Sequence, residues 1–288
     1  MREAGLAIRR VWPWALGPLA FAAAIFAAPA GSLIVVCAPG FPGNTEQAQP
    51  TMDAFARSAG AAAGPAAGVV GAVYYETETG GTARLATPEA AFAIVPLPFF
   101  LKHETELRLE PRLVVVQPTG VTETWSLVAG RGRVTKPEDL ADWTVTGPVG
   151  YAPAFIGGPL FGGWGALPKS ATIAFTAAPL AALRRAAAGG KVAVVLDASQ
   201  AAALSTLPFG ASLEIVTRSK PLPGSLLCSV GDRLPADAVG QLLQAFSRLH
   251  ETPEGAAALG GMRMVRFGPL DRDAIAGARR AFAAADPR

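Results

Sequence analysis

Glu123 and Trp125 stand two residues apart in Thr122–Val128, a run that alternates enough to be a strand. Side chains two apart on a strand share a face. A carboxylate beside an aromatic ring suits a cationic or polar ligand. The other arrangement turns Glu123 to solvent and packs Trp125 inside. Two further polar groups follow apolar runs: Asn44, Thr45, Glu46 and Gln47 after the first, and Tyr75, Glu76 and Thr77 after the second. Catalytic chemistry finds less material. The chain holds two histidines. His103 lies in the charged stretch KHETE and His250 in the last turn of a helical segment, and neither has a partner at metal-ligand spacing. No Gly-x-Ser-x-Gly elbow occurs. Gly189-Gly190-Lys191-Val192 lacks the rest of a phosphate loop, and Gly130-Arg131-Gly132 the rest of a dinucleotide fingerprint. Cys37 sits mid-strand, too buried for a nucleophile. The pattern points to binding rather than catalysis, with no cofactor and no metal.

The elements that position these residues alternate between strand and helix. Leu33–Ala38 is a continuous apolar run rich in β-branched residues, the mark of a strand buried on both faces. A long loop, Pro39–Pro50, leads to a helix over Thr51–Ala63 with Met52, Phe55, Ala56 and Ala59 on one face. In an open parallel sheet the loop after the first strand lies at the carboxyl edge, where ligands bind. That makes Asn44, Thr45 and Glu46 candidate contacts; the alternative is a solvated loop. Gly68–Tyr75 is a second strand, Thr87-Pro88-Glu89 a helix start, and Ala91–Val95 a third strand. Phe99, just beyond it, walls a pocket or joins the core. Leu107–Pro111 and Leu113–Gln117 form a strand pair or a bent strand. Arg133–Gly150 then organises the second half: Thr135 as cap, a short helix near Pro137–Asp142, a strand over Trp143–Thr146 and a stop at Gly147-Pro148. Further strands follow at Ala171–Thr176, Lys191–Leu196, Leu213–Thr217 and Gly224–Val230, with helices at Pro179–Ala188, Gln200–Leu207 and Pro235–His250. Asp271 caps the last helix.

With 51% hydrophobic and 16% charged residues, the chain has ample material for a core. The formal charge of +3 does not mark a nucleic-acid partner. Without Arg2, Glu3, Arg9 and Arg10, 22 basic residues face 21 acidic ones, and no basic stripe with interleaved aromatics appears. Residues 1–30 read as a cleaved signal peptide: a basic start, an apolar stretch from Val11 to Ala28, and the small-x-small site Ala28-Pro29-Ala30. A retained membrane anchor is the alternative. Pro13, Gly17 and Pro18 favour cleavage, which would release the chain from Gly31 into the periplasm.

Several segments, in order, resemble type 2 periplasmic solute-binding proteins, most closely the phosphate/phosphite/phosphonate-binding branch of ABC transporters. Asp139-Leu140 ahead of a strand is similar to the entry into their second lobe. Leu183 to Ala198 is similar to their helix–glycine–strand–aspartate unit. Ser219-Lys220-Pro221-Leu222-Pro223 is similar to their return to the first lobe, and Thr252-Pro253-Glu254-Gly255 with Leu259 to the helix that follows. The resemblance implies an α/β protein of two lobes, each a mostly parallel sheet flanked by helices, joined by two hinge crossings. Residues 31–118 and 224–288 would form lobe one and 119–223 lobe two. It implies capture of a small ligand in the cleft, a membrane permease as partner, and a monomer. An enzyme on the same fold, related to thiamine or pyrimidine chemistry, and a sensor partner of a membrane receptor are the other readings.

By this resemblance Asp197 and Ser199 would face the cleft from lobe two; capping of the next helix is their other use. Both cysteines would lie in lobe one on strands with another strand between, too far apart for a disulfide. In relatives that bind oxyanions, a Ser/Thr-rich turn precedes the helix near residue 150. Here Tyr151 is the hydroxyl that remains, which argues against a simple oxyanion and, with Glu123 and Asp197, leans towards an organic or cationic ligand.

Overall fold

The computed structural model describes residues 32–41, 43–64 and 70–286. The signal-peptide segment, the cleavage site and the first two residues of the expected second strand lie outside the described residues. No described helix is long and apolar enough to cross a membrane.

From the N-terminus, β1 (Ser32–Cys37), α1 (Thr45–Ala63), β2 (Val70–Tyr75), α2 (Glu78–Leu85), β3 (Ala90–Pro96), α3 (Leu97–His103) and β4 (Leu109–Val116) build the first sheet and its helices. The short β5 (Thr122–Glu123) leads away to β6 (Ser126–Gly130), β7 (Thr144–Gly147), α4 (Pro153–Phe155), β8 (Thr172–Phe175), α5 (Pro179–Ala187), β9 (Val192–Leu196), α6 (Ala198–Ala202) and β10 (Leu213–Arg218). The chain returns through β11 (Leu222–Pro223) to β12 (Ser225–Val230), α7 (Ala236–Arg248), α8 (Pro253–Gly261), β13 (Arg266–Gly268) and α9 (Arg272–Ala285). The first sheet has the order β13-β4-β12-β3-β1-β2 and the second β10-β6-β9-β7-β8. Between them β5 pairs with β11, Glu123 opposite Leu222, so the outgoing and returning chains are bonded side by side.

Both sheets are mixed. In the first, β1, β2 and β3 run parallel and β12 runs against β3 and β4. In the second, β7, β8 and β9 run parallel while β6 runs against β9 and β10. By direction, four of the six strands of the first sheet and four of the five of the second point the same way, so each sheet is mostly parallel, as expected. The antiparallel pairs are those of β12 and β6, the strands beside the two crossings, and that of β13 with β4 at the sheet edge. β1 is buried at every position but one, as its unbroken apolar run requires.

Some expectations are corrected by local chemistry. The helix expected from Thr51 starts at Thr45, with Pro50 inside it. Asn44 is its cap, the side-chain oxygen accepting from the Gln47 N–H at 2.9 Å. Thr77 caps α2 by accepting from the Gly80 N–H at 3.2 Å, while Thr87-Pro88-Glu89 is a turn rather than a helix start. Pro96 leads straight into α3. Of the two arrangements expected for residues 107–117, the bent strand holds: β4 is one strand whose register slips between Leu113 and Pro111. Thr135 is not a cap; its N–H and hydroxyl both donate to Asp139 Oδ2, at 2.8 and 2.9 Å, behind a 3₁₀ turn over Pro137–Leu140. The expected strand Thr122–Val128 is broken between β5 and β6, so the shared parity of Glu123 and Trp125 does not carry through.

One apolar core runs from the first sheet into the second. It includes Phe99 and Phe100 of α3, Trp125, Phe155 and Phe161, and Ile275, Ala278 and Phe282 of α9. Helix α9 follows the last strand of the first sheet yet seats on Ile156–Leu160, a π-helical turn. Gly158 permits this: a Cβ there would lie 2.2 Å from the Ala281 carbonyl oxygen.

Candidate functional site

The carboxyl ends of the parallel strands in the two sheets meet. Gly40, just past β1 and at φ +84°, lies so close to Pro148 and Phe175 of the second sheet that an added Cβ would be 2.9 Å from Pro148 Cβ. Beside this contact sits a polar cluster. Cys37 ends β1, Glu78 opens α2, Lys102 and His103 close α3, and Tyr151 follows β7. His103 Nε2 and Lys102 Nζ each lie 2.6 Å from Glu78 Oε1. Lys102 Nζ also donates to the Tyr151 carbonyl oxygen at 2.6 Å and lies 5.8 Å from the centre of its ring. Burial raises the Glu78 carboxyl, but the hydrogen bonds from His103 and Lys102 and their charges outweigh it and hold it below the ordinary value.

The Tyr151 hydroxyl is buried without a hydrogen-bond partner among the described residues. Burial pushes it well above the ordinary tyrosine range, with Cys37 and Glu78 adding to the effect. The Cys37 thiol donates to the Thr77 carbonyl oxygen at 3.6 Å and is raised by burial, then by Glu78 and Glu76.

A second polar group lies at the hinge. Glu123 ends β5, and Asp197 follows β9. Burial, and then the negative charge of Asp197, push the Glu123 carboxyl up to about 7. Asp197 is itself raised by burial, against the lowering effect of the Gln200 and Ser199 N–H groups. Its Oδ1 accepts from the Gln200 N–H at 2.7 Å, so it caps α6, and the pairing of Ser126 with Leu196 brings it to the end of the chain segment that carries Glu123. No basic side chain contributes to either shift. Two adjacent carboxylates without a counter-charge repel at neutral pH.

The other residues expected at the site have structural roles, and Thr77 and Phe99 stand directly beside the polar cluster. Asn44 is a cap, Glu46 is exposed in the first turn of α1, and Thr45 Oγ1 lies 3.3 Å from Glu76 Oε2. Tyr75 packs against the core and Thr77 is an exposed cap. Phe99 is fully buried, its ring centre 4.7 Å from that of His103. Trp125 is buried, packs edge-on against Phe155 at 6.5 Å, and its N–H donates to Ser219 Oγ at 3.0 Å. It therefore packs the hinge rather than standing beside Glu123. Ser199 is exposed on α6. Sequence reasoning missed Glu78, Lys102 and His103. The Thr77-Glu78 helix start was a usable signal, because it follows the second strand; nothing local pairs residue 78 with residue 103.

No family model and no curated protein matches the chain. Solved structures do. XAC2383 from Xanthomonas citri, solved with chloride, superposes with a TM-score of 0.70 over 88% of this chain and 98% of that one, at 11% identity. The binding-protein component of an ABC phosphonate transporter from Pseudomonas aeruginosa gives 0.60 over 90% and 89%, at 14% identity. PhnD1 from Prochlorococcus marinus, solved with methylphosphonate, gives 0.60 over 89% and 98%, at 11% identity. A Candida albicans protein described as having the generic periplasmic binding protein fold gives 0.52. The chain has the periplasmic-binding-protein fold. In periplasmic-binding-protein terms, β5 and β11 are the two crossings, and the Glu78–Lys102–Tyr151 and Glu123–Asp197 groups lie where the two sheets face each other.

Proposed function

We propose that this protein is an extracytoplasmic solute-binding protein that captures a small molecule between two lobes, residues 31–118 with 224–288 and residues 119–223. The observation that carries the reading is two part-buried carboxylates, Glu123 and Asp197, brought to the crossing by the pairing of Ser126 with Leu196 and neither in an ion pair among the described residues. Convergent polar groups in an otherwise apolar interface are the mark of a ligand site. Lys102 is already engaged by Glu78 and the Tyr151 carbonyl, so it is poorly disposed to hold an oxyanion. A small organic solute presenting a cationic or hydrogen-donating group to Glu123 and Asp197 fits this charge balance. The Tyr151 hydroxyl would donate to a second polar atom of the same solute. Closure would proceed by changes in a few dihedrals at β5 and β11. Export to the periplasm through residues 1–30, action as a monomer and delivery to an ABC permease complete the reading; no catalytic step is assigned.

Phosphonate or phosphate is the second reading, supported by the likeness of the fold to the two phosphonate-system proteins. A thermal-shift screen separates the two. Arginine, putrescine, choline and thiamine form one arm, and phosphate, phosphite and methylphosphonate the other. A ligand at 100 times its dissociation constant adds about 2.7 kcal/mol. A shift with the cationic arm that disappears in Glu123→Gln supports the proposal. A shift with the anionic arm alone overturns the charge argument.

A further inference from the structure

Alternate residues of β2 serve opposite faces of the first sheet. Tyr75 packs with the core shared with the second sheet, and Tyr74 packs on the other side, with α1, α7 and α8. On that side, at the carboxyl end of the sheet, lies a chamber of about 310 Å³. This is near the small end of ligand sites, which run from about 300 to 1,000 Å³. Met52 of α1, Ile94 of β3 and Met264 give it apolar walls. Tyr74, Gln47 and Arg263 add polar groups. No residue of the second sheet lines it, so it is separate from the interface described above.

Two observations mark it as more than a packing gap. Tyr74 is 8% exposed, and its hydroxyl is buried with no hydrogen-bond partner among the described residues. A buried hydroxyl without a partner costs free energy that a bound acceptor restores. Burial, followed by Glu76 and Cys37, pushes this phenol up to about 12, so it remains a donor at any physiological pH. Second, Arg263 is the one charged residue among those lining the chamber. Its position is fixed by the turn that ends α8, where the Arg263 N–H donates to the Gly260 carbonyl oxygen and the Met264 N–H to that of Leu259, both at 2.9 Å, with Arg263 at φ +57°. An apolar chamber with one cation and no carboxylate selects an anion with a hydrocarbon body.

We propose that this chamber is a second ligand site, taking a small amphipathic carboxylate whose chain lies against Met52, Ile94 and Met264 and whose carboxylate meets Arg263 and Tyr74. Soft, adaptable methionine walls suit a flexible aliphatic chain.

Isothermal titration of the purified protein with octanoate tests this, with 1-octanol as the uncharged counterpart. One octanoate is expected per chain, with at least tenfold weaker binding in Arg263→Gln and about fivefold weaker in Tyr74→Phe. 1-Octanol should bind at least tenfold more weakly than octanoate. Because Arg263 is exposed, its substitution leaves the fold intact. Absence of octanoate binding at millimolar concentration overturns the proposal. So does binding that both chamber variants leave unchanged.

Discussion

Lys102 Nζ donates to the carbonyl oxygen of Tyr151 at 2.6 Å, across the interface between the two sheets. The same Nζ holds Glu78 Oε1 at 2.6 Å. One ammonium thus joins a helix end of the first sheet to the loop after β7 of the second, and a carboxylate keeps it there. Because Glu78 is held below its ordinary value, its contribution is present above pH 4.5 and is lost as pH falls through the lowered value. Glu78→Gln is expected to cost about 1–3 kcal/mol at pH 7, the range for leaving charged partners unmatched. Urea denaturation should show that cost shrinking in acid. An equal cost at pH 7 and pH 3 would contradict the ion-pair account.

Glu123 carries the opposite sign. Its carboxyl is raised from 4.5 to about 7, so between those values the folded protein holds a proton that the unfolded chain has released. Stability therefore falls as pH rises from about 4.5 to 7, by at most about 1.4 kcal/mol per pH unit. Glu123→Gln removes that slope. The variant should be more stable than the parent at pH 8 and level with it near pH 5, read from melting temperatures without ligand.

Tyr151→Phe removes a buried hydroxyl that has no partner among the described residues. Its stability without ligand should rise or stay level, since an unmatched buried polar group costs about 1–3 kcal/mol. Binding of whichever solute the thermal-shift screen identifies should weaken by about tenfold in calorimetry. A fall in stability of several kcal/mol would mean that the hydroxyl holds the fold.

Glycine 158 and glycine 163 lie five residues apart and differ in what surrounds them. A Cβ at Gly158 would stand 2.2 Å from the Ala281 carbonyl oxygen, and one at Gly163 meets nothing within 4 Å. Gly158→Ala should therefore cost about 1–3 kcal/mol or more by unseating α9. Gly163→Ala should stay within about 0.5 kcal/mol. Thermal unfolding of both variants checks the pair.

Cys37 and Cys228 are free and buried, on β1 and β12 with β3 between them, the arrangement the resemblance implied. Thiol titration should find both unreactive in the native protein and two reactive thiols after denaturation in urea, without added reductant. Fewer than two would reveal a disulfide.

The sequence by itself determined the elements whose rules are local. The unbroken apolar runs of β1 and β3 mark strands buried on both faces. The helical spacing of Leu242, Phe246 and Leu249 marks α7, and Asp271 caps α9 by accepting from the Ala274 N–H at 2.9 Å. The return at Ser219–Pro223 was legible through its resemblance to solute-binding proteins, and its two prolines keep the chain extended there. Tertiary structure decided which polar side chains do what. Asn44 to Gln47 have the composition of a ligand loop and of a helix cap alike, and only the position of α1 separates the two. Trp125 has the spacing of a cleft residue until the break between β5 and β6 turns it into the core. His103 and Glu78 are 25 residues apart, Lys102 and Tyr151 are 49 apart, and Glu123 meets Asp197 only because β5 and β9 end at the same hinge. Local propensity and periodicity act over a turn or a strand. Pairings at such separations arise only when helices pack on one sheet, as for Glu78 and His103, or when the two sheets pack, as for Lys102 and Tyr151, so the site belongs to the packing rather than to any one stretch of chain.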